Sequence, residues 1–479
     1  MSRYASRNRR LLRAACATTV VVGVSLLLGA PSAGAYPQRS TARSGLGDPY
    51  FPDDGNAGYD VGHYDVRVAY DPAKPGWLTG DTTITARATT TLSVFHLDLV
   101  GFDVTAVSVD GRPAHKVSRE GAHELVIRPA VEIKAGREFT VRVRYAGATG
   151  KDWYTTDGGG AVALGEPHSA TSWFPANDHP SDKATFDVTA TVPTGWTVIS
   201  NGRPGTTRTD AKSATFSWHE DRPIATYLTT IAIDRFTVHK AAMPDGTPLL
   251  YAYAPGTEIW PESEEVMPSI LDFYTDTFGP FPFGVSGATV VPYLSPPGAP
   301  LALETQGRPT YQGVFFEESM AHEVAHQWFG DSVSFADWRD GCIAECFATY
   351  AAQLWREHKG ADIDEDYLEL VAENLGDPEY WRVKLYDPGP GRELDSALYG
   401  KGALMLHALR RTVGDTAFFG TLRQWLRDHR YGNASFTQFE ALAQRNTTVD
   451  LTGFFAEWVH GTAVPSPANL YPGPLADHK

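Results

Sequence analysis

Two hydrophobic rhythms divide this chain, and one gives way to the other near residue 241. From about residue 47 to 240, apolar side chains recur at every second position. YDVRVAY (64–70), DTTITARATT (81–90), EFTVRVRY (138–145), ATFDVTATV (184–192) and YLTTIAI (227–233) are examples, with turn signals such as DGRP (110–113) and NGRP (201–204) between them. Period-two alternation of β-branched residues, punctuated by Gly, Asn and Pro, describes strands that bury one face. After residue 241 the spacing becomes helical: SEEVMPSILDFYTDTFG (263–279), EESMAHEVAHQWFG (317–330), CIAECFATYAAQLWREHKG (342–360), GALMLHALRRTVG (402–414), TAFFGTLRQWLRDH (416–429), FTQFEALAQR (436–445) and LTGFFAEWVHG (451–461). Several of these segments close on glycine, as helices do. The expected fold class is α+β multidomain: an antiparallel β-sandwich over 47–240, then a mainly helical module over 241–465 and a tail over 466–479. A small sheet is expected around GATVVPY (287–293).

The first 35 residues are set apart from that fold. MSRYASRNRRLLRAA carries five arginines and no acid, ATTVVVGVSLLLGA is apolar, and PSAGA ends in an Ala33-Gly34-Ala35 cleavage pattern. The apolar run is shorter than the about 20 residues a membrane span needs. A signal peptide over 1–35 is therefore expected, then a disordered lead-in over 36–46, with the mature chain exported and without a membrane span. The formal net charge is −16, and removing the arginine-rich leader makes the chain more acidic still. Such a surface repels phosphate backbones and anionic lipid, so nucleic acid is not an expected partner. Cys342 and Cys346 are the only cysteines beyond the leader, so no disulfide framework holds the fold.

Chemistry concentrates in MAHEVAHQWFGDSVSFADWRDGCIAECFATY (320–350). On a helix of about 3.6 residues per turn, His322 and His326 share one face, with about 6 Å between β-carbons. Two imidazoles at that spacing can meet one tetrahedral ion. Glu323 points about 100° around the axis, where it reaches a water on the ion more easily than the ion itself. Catalytic zinc keeps three protein ligands and an open position, and two histidines with a glutamate form one such set. Glu345, with 18 residues between it and His326, sits among Ile343, Ala344, Phe347 and Ala348. A lone carboxylate on a buried helix needs a metal or an ion pair, and Arg339 is the nearby cation that would supply the latter. Cys342 and Cys346 fit as packing residues or as a local disulfide; a thiolate pair on zinc would leave Glu345 unexplained.

HEVAHQWFGD followed by Glu345 in ECFA resembles the signature of the aminopeptidase N family of zinc metallopeptidases, which includes leukotriene hydrolase. Three further segments resemble family stretches in order and spacing: WFPANDHPSDKATFDVTATVP (173–193), DFYTDTFGPFPF (272–283) and LYGKGALMLHAL (398–409). The resemblance implies a saddle-like β domain and a thermolysin-like catalytic domain with one zinc ion on His322, His326 and Glu345. It implies Glu323 as the general base and Tyr399 as the donor to the oxyanion. It assigns the free ammonium of a peptide substrate to Glu304 and to Glu166. Glu304 lies in Leu301-Ala302-Leu303-Glu304-Thr305, where the family has Gly-Ala-Met-Glu-Asn. Leu164 stands where the family has a glutamine, two residues before Glu166.

Zinc in such a site acidifies water and polarises a carbonyl, while a carboxylate base moves the proton. The expected function is a secreted zinc aminopeptidase acting on peptides with a free N-terminus. A zinc endopeptidase of the same fold and a non-catalytic peptide-binding relative are the alternatives. Full-length family members carry a further helical domain over the cleft, and this sequence ends at Lys479, so a more open cleft, looser control of peptide length or closure by a partner is expected. Side-chain preference and oligomeric state are not written in the sequence.

Overall fold

The computed structural model describes residues 44–294, 299–313 and 315–478. The leader and positions 36–43 of the lead-in lie outside the described residues. The remainder of the lead-in is ordered: Gly45 N donates to Gly55 O at 2.9 Å and Leu46 N to Asp54 O at 3.0 Å.

Alternation becomes an eight-stranded sheet. Its order is Arg203–Thr209, Ser213–Ile224, Ala184–Pro193, Tyr59–Tyr70, Trp77–Ala88, Glu138–Ala148, Asp103–Val109 and Arg112–Pro113. In Ala184–Pro193 every second residue is buried, as the period-two pattern requires. One pair departs from the expected antiparallel arrangement. Tyr59–Tyr70 runs parallel to Ala184–Pro193, with Tyr64 opposite Phe186 and Val66 opposite Val188. Parallel neighbours need a long connection, and the intervening chain provides it, adding strands to this sheet and contributing two strands to a second sheet. That sheet, Thr197–Ser200, Ile231–Asp234, Ala161–Ala163 and Trp153–Thr155, and a three-stranded one, Phe95–Asp98, Glu124–Arg128 and Lys116–Glu120, share one buried core with the first. Of the expected strand over 227–233, Ile231–Asp234 is extended, while Thr226–Leu228 forms a tight helical turn.

A five-stranded mixed sheet opens the second module: Thr237–Ala242, Pro248–Tyr253, Ser286–Val291, Thr310–Gln312 and, at the edge, Ala302–Leu303. Gly287 permits the parallel pairing in its middle; its φ is +134°, and a β-carbon would stand 1.9 Å from Leu250 O. Among the described residues, eight helices of seven residues or more pack around a second core. They are α1 (Pro261–Phe278), α2 (Glu317–His326), α3 (Cys342–His358), α4 (Ile363–Asn374), α5 (Ser396–Val413), α6 (Asp415–Asp428), α7 (Phe436–Arg445) and α8 (Thr452–Trp458). The α4 helix is not among the periodic segments: three acids crowd its first turn, and only Ile363, Tyr367 and Val371 are buried. The C-terminal stretch is not a loose tail, because Leu470 and Leu475 are buried in the second core.

The modules are held to each other by polar staples as well as by apolar contact. Phe335, Trp338 and Ala344 belong to the first core although they follow α2. Lys183 Nζ donates to Asp331 O at 2.6 Å, Arg308 Nη2 to Gly202 O at 2.9 Å, and Trp338 N to Asp48 Oδ2 at 2.9 Å. Among the described residues, no helix is long and apolar enough to cross a membrane.

Candidate zinc site and cleft

Helix α2 delivers the two histidines as its spacing requires, and α3 packs against it to bring Glu345 alongside. His322 Nε2 and His326 Nε2 are 3.0 Å apart, and Glu345 Oε2 lies 3.3 Å from the first and 3.5 Å from the second. His326 Nδ1 donates to the carbonyl of Phe329 at 3.0 Å, which orients the ring with Nε2 toward His322 and Glu345. Oε2 of Glu345 is buried without a formed hydrogen bond among the described residues. Three ligand-type atoms thus converge on one point. Around a tetrahedral zinc with bonds of about 2.0–2.1 Å, ligand atoms stand about 3.4 Å apart. The donor set and its spacing fit that ion. Arg339 pairs with Asp337 at 2.6 Å and not with Glu345, so the ion-pair account of the carboxylate falls away.

Cys342 and Cys346 are joined by a disulfide that flanks Glu345 on α3. The thiols are thereby removed from any ligand set. Both are fully buried, and Cys346 packs against Gly402 of α5, the helix that carries Tyr399.

A cleft of about 600 Å³ opens onto the triad. Glu166, Glu304, Glu323, Tyr399, Tyr311 and Leu301 are among its walls. Tyr399 presents its ring 6.0 Å from that of His322. Glu323, Glu304 and His326 place ligand-type atoms within 4.8 Å of one another, and Glu166, Glu304 and Glu345 do the same. Glu166 therefore belongs to the cleft and not to a surface turn. Glu304 is 3% exposed, and its Oε1 has no hydrogen-bond partner among the described residues.

Four carboxylates in one cleft repel each other. Burial, then Glu304's charge, pushes the Glu166 carboxyl well above its usual range. Burial likewise raises Glu323 and Glu304, with the charge of His326 opposing it in both. Glu345 departs in the other direction. Burial would raise it, but His326 and His322 outweigh that and hold it ionised. A cation among these groups relieves the repulsion, which is the electrostatic counterpart of the distance fit.

Some of the residues that hold the site in place escaped the sequence reading. Gln327, fully buried, receives Gly307 N on Oε1 at 2.6 Å and donates to Glu304 O at 3.3 Å, tying the edge strand to α2. It lies inside HEVAHQ, but nothing in that string says that its amide faces another segment. Asp331, also in the signature, is fully buried with both carboxylate oxygens unpartnered among the described residues.

Comparison with known proteins agrees with this geometry. Residues 301–458 match the Peptidase family M1 domain, and residues 61–228 match the Peptidase M1 N-terminal domain. The chain is 26% identical to Probable aminopeptidase 1 of Sulfurisphaera tokodaii over 77% of its own length and 49% of that protein. To Aminopeptidase M1 of Arabidopsis thaliana it is 24% identical, over 64% of its length and 37% of that protein. It thus spans half or less of these relatives. The crystal structure of an M1 zinc metallopeptidase from Deinococcus radiodurans superposes with a TM-score of 0.80 at 30% identity, covering 88% of this chain and 99% of that one. A glutamate-to-alanine variant of that protein, crystallised with a Tyr-Ser-Ala substrate, matches equally well.

Proposed function

This chain belongs to the M1 family of zinc metallopeptidases, and from that premise we propose that it is an aminopeptidase removing N-terminal residues from peptides. The observation that carries the reading is the pair Glu304 and Glu166, converging beside the triad with an unsatisfied, buried oxygen on Glu304. A desolvated carboxylate pair recognises an ammonium, and no neutral amide end satisfies it equally. A zinc ion on His322, His326 and Glu345 supplies Lewis acidity for a carbonyl and for water.

The protein's own groups account for the remaining work. Glu304 and Glu166 fix the ammonium, and so set which peptide bond lies at the triad. Glu323, facing the same cleft, takes a proton from the attacking water on its carboxylate and returns it to the leaving amine. Tyr399 donates its hydroxyl to the carbonyl oxygen as negative charge grows there; burial and the surrounding carboxylates push its own pKa up, so the proton stays on the oxygen. Ala302–Leu303 is the edge strand of its sheet and offers backbone groups to an extended peptide. The arginine-rich leader and the Ala33-Gly34-Ala35 pattern support export, with the mature chain starting at Tyr36.

Aminoacyl anilides with free and N-acetylated amines test the reading. Turnover of the free substrates alone is expected. Equal cleavage of the blocked ones would replace it with an endopeptidase.

A further inference from the structure

Away from the cleft, the β module holds a second convergence of ligand-type groups. Asp98 ends one strand and pairs in register with Glu124, which begins its neighbour. Directly opposed residues share a face, so the two carboxylates meet. The loop before the first long strand brings in Asp54. His123 Nε2 then lies 4.0 Å from Asp54 Oδ1, 3.9 Å from Asp98 Oδ1 and 3.9 Å from Glu124 Oε1. Asp54, Asp98 and Glu124 are 7%, 1% and 6% exposed, while the His123 side chain, at 21%, leaves a way in from solvent.

Hydrogen bonds account for part of this cluster only. Asp98 Oδ2 receives Gly55 N at 3.2 Å and Asp178 N at 2.8 Å, and its Oδ1 receives Asn56 Nδ2 at 2.9 Å. Glu124 Oε2 meets His96 Nδ1 at 3.2 Å. Glu124 Oε1 faces His123 and has no hydrogen-bond partner among the described residues; the same holds for Oδ1 of the fully buried Asn56. His123 does not supply the missing donor: its Nε2–H donates to Asp53 O at 3.1 Å and is too far from every carboxylate for a hydrogen bond, and a cation on Nε2 would move that proton to Nδ1.

We propose that Asp54, Asp98, His123 and Glu124 form a binding site for a divalent cation of the manganese type, distinct from the zinc site. Oxygen-rich donor sets suit Mg²⁺, Ca²⁺ and Mn²⁺, and an imidazole favours the transition metals; Mn²⁺ accepts both. A dication there gives Glu124 Oε1 a partner and offsets the like charges of Asp98 and Glu124, while Asp54 Oδ2 keeps His168 Nδ1 at 2.6 Å.

Titrating the zinc-loaded full chain with Mn²⁺, and following the electron paramagnetic resonance signal of free Mn²⁺, tests the site. One Mn²⁺ bound per chain, with zinc content unchanged by metal analysis, is the expected result. Glu124→Gln and His123→Ala should each weaken uptake at least tenfold while keeping zinc content and peptidase rate. The partly exposed His123 ring carries the test should Glu124→Gln fail to fold. No uptake by the wild-type chain, uptake only as zinc is lost, or uptake equal in the folded variants overturns the proposal.

Discussion

Glu304→Gln separates recognition of the free amine from hydrolysis. The substitution keeps side-chain size and changes none of the three triad residues. In the wild type, Oε1 is buried and unpartnered, so an ammonium entering the cleft finds a carboxylate that water does not screen fully. At about 3 Å and an effective dielectric of about 20, the attraction is about 5 kcal/mol. Stripping water from the ammonium takes back part of it, leaving the about 1.5–3 kcal/mol typical of a hydrogen bond to a charged group. At tenfold per about 1.4 kcal/mol, kcat/KM on aminoacyl anilides should fall about 10- to 150-fold. The loss should fall on free-amine substrates, with zinc content unchanged. Glu166→Gln should behave alike, and the double variant should lose less than the two losses multiplied, since both side chains hold one ammonium. A loss under about threefold, or an equal loss on N-acetylated substrates, would refute the reasoning.

Three further outcomes are expected. Glu323→Gln should retain zinc and lose about 10²- to 10⁴-fold in kcat, and full turnover in that variant would remove Glu323 as the base. Gly402→Ala would put a β-carbon 2.3 Å from Cys346 Sγ and 2.7 Å from its Cβ, on a side chain the disulfide holds in place. Forcing α3 and α5 apart should cost about 1–3 kcal/mol, seen as a lower denaturation midpoint; an unchanged midpoint contradicts the close packing. His407 is fully buried, and burial depresses its imidazole from 6.5 to about 4 against the opposing pull of Asp364. The unfolded chain therefore binds the proton first. Stability from this residue is intact above pH about 6.5 and is lost, by up to about 3 kcal/mol, as pH falls toward 4. Asp182, Glu220 and Asp340, pushed up to about 7 by burial, act the other way in that range. The measurement is hence the wild-type curve minus that of His407→Gln, which should slope only between those values.

What the sequence made legible was whatever repeats along one element. Alternation gave the strands of the large sheet, and spacing of four put His322 and His326 on one helical face. Glu345 could be found because a carboxylate among Ile343, Ala344, Phe347 and Ala348 is anomalous within its own helix. Residues that act across elements carry no such local signature. The parallel pairing of Tyr59–Tyr70 with Ala184–Pro193 depends on a crossover, and both strands alternate as antiparallel ones would. Asp98 and Glu124 are ordinary acids in sequence and become a cluster only through cross-strand register. Gln327 reads as one polar residue among several until the Gly307 backbone arrives at its amide.

That difference explains why selectivity was harder to read than hydrolysis. The zinc triad is built by two adjacent helices of one module, so its geometry needs only helix spacing and one packing contact. The proposed ammonium site is built by three parts: Glu166 from the β module, Glu304 from the edge of a sheet, and the triad that sets their reference point. Its precision depends on contacts that immobilise the modules. Arg308 reaches from the loop after Glu304 to the carbonyl of Gly202, Asn201 Nδ2 donates to Gln306 O at 3.0 Å in the same loop, and Lys183 holds the backbone of Asp331 just after α2. Burying Lys183 and Arg308 carries a cost, and burial depresses them to about 7 and about 10. Buried cations bonded to the other module's carbonyls stabilise one relative placement and penalise others, because any slip leaves a charge without partners. The carboxylate pair can then discriminate an ammonium because the elements that carry it are not free to separate.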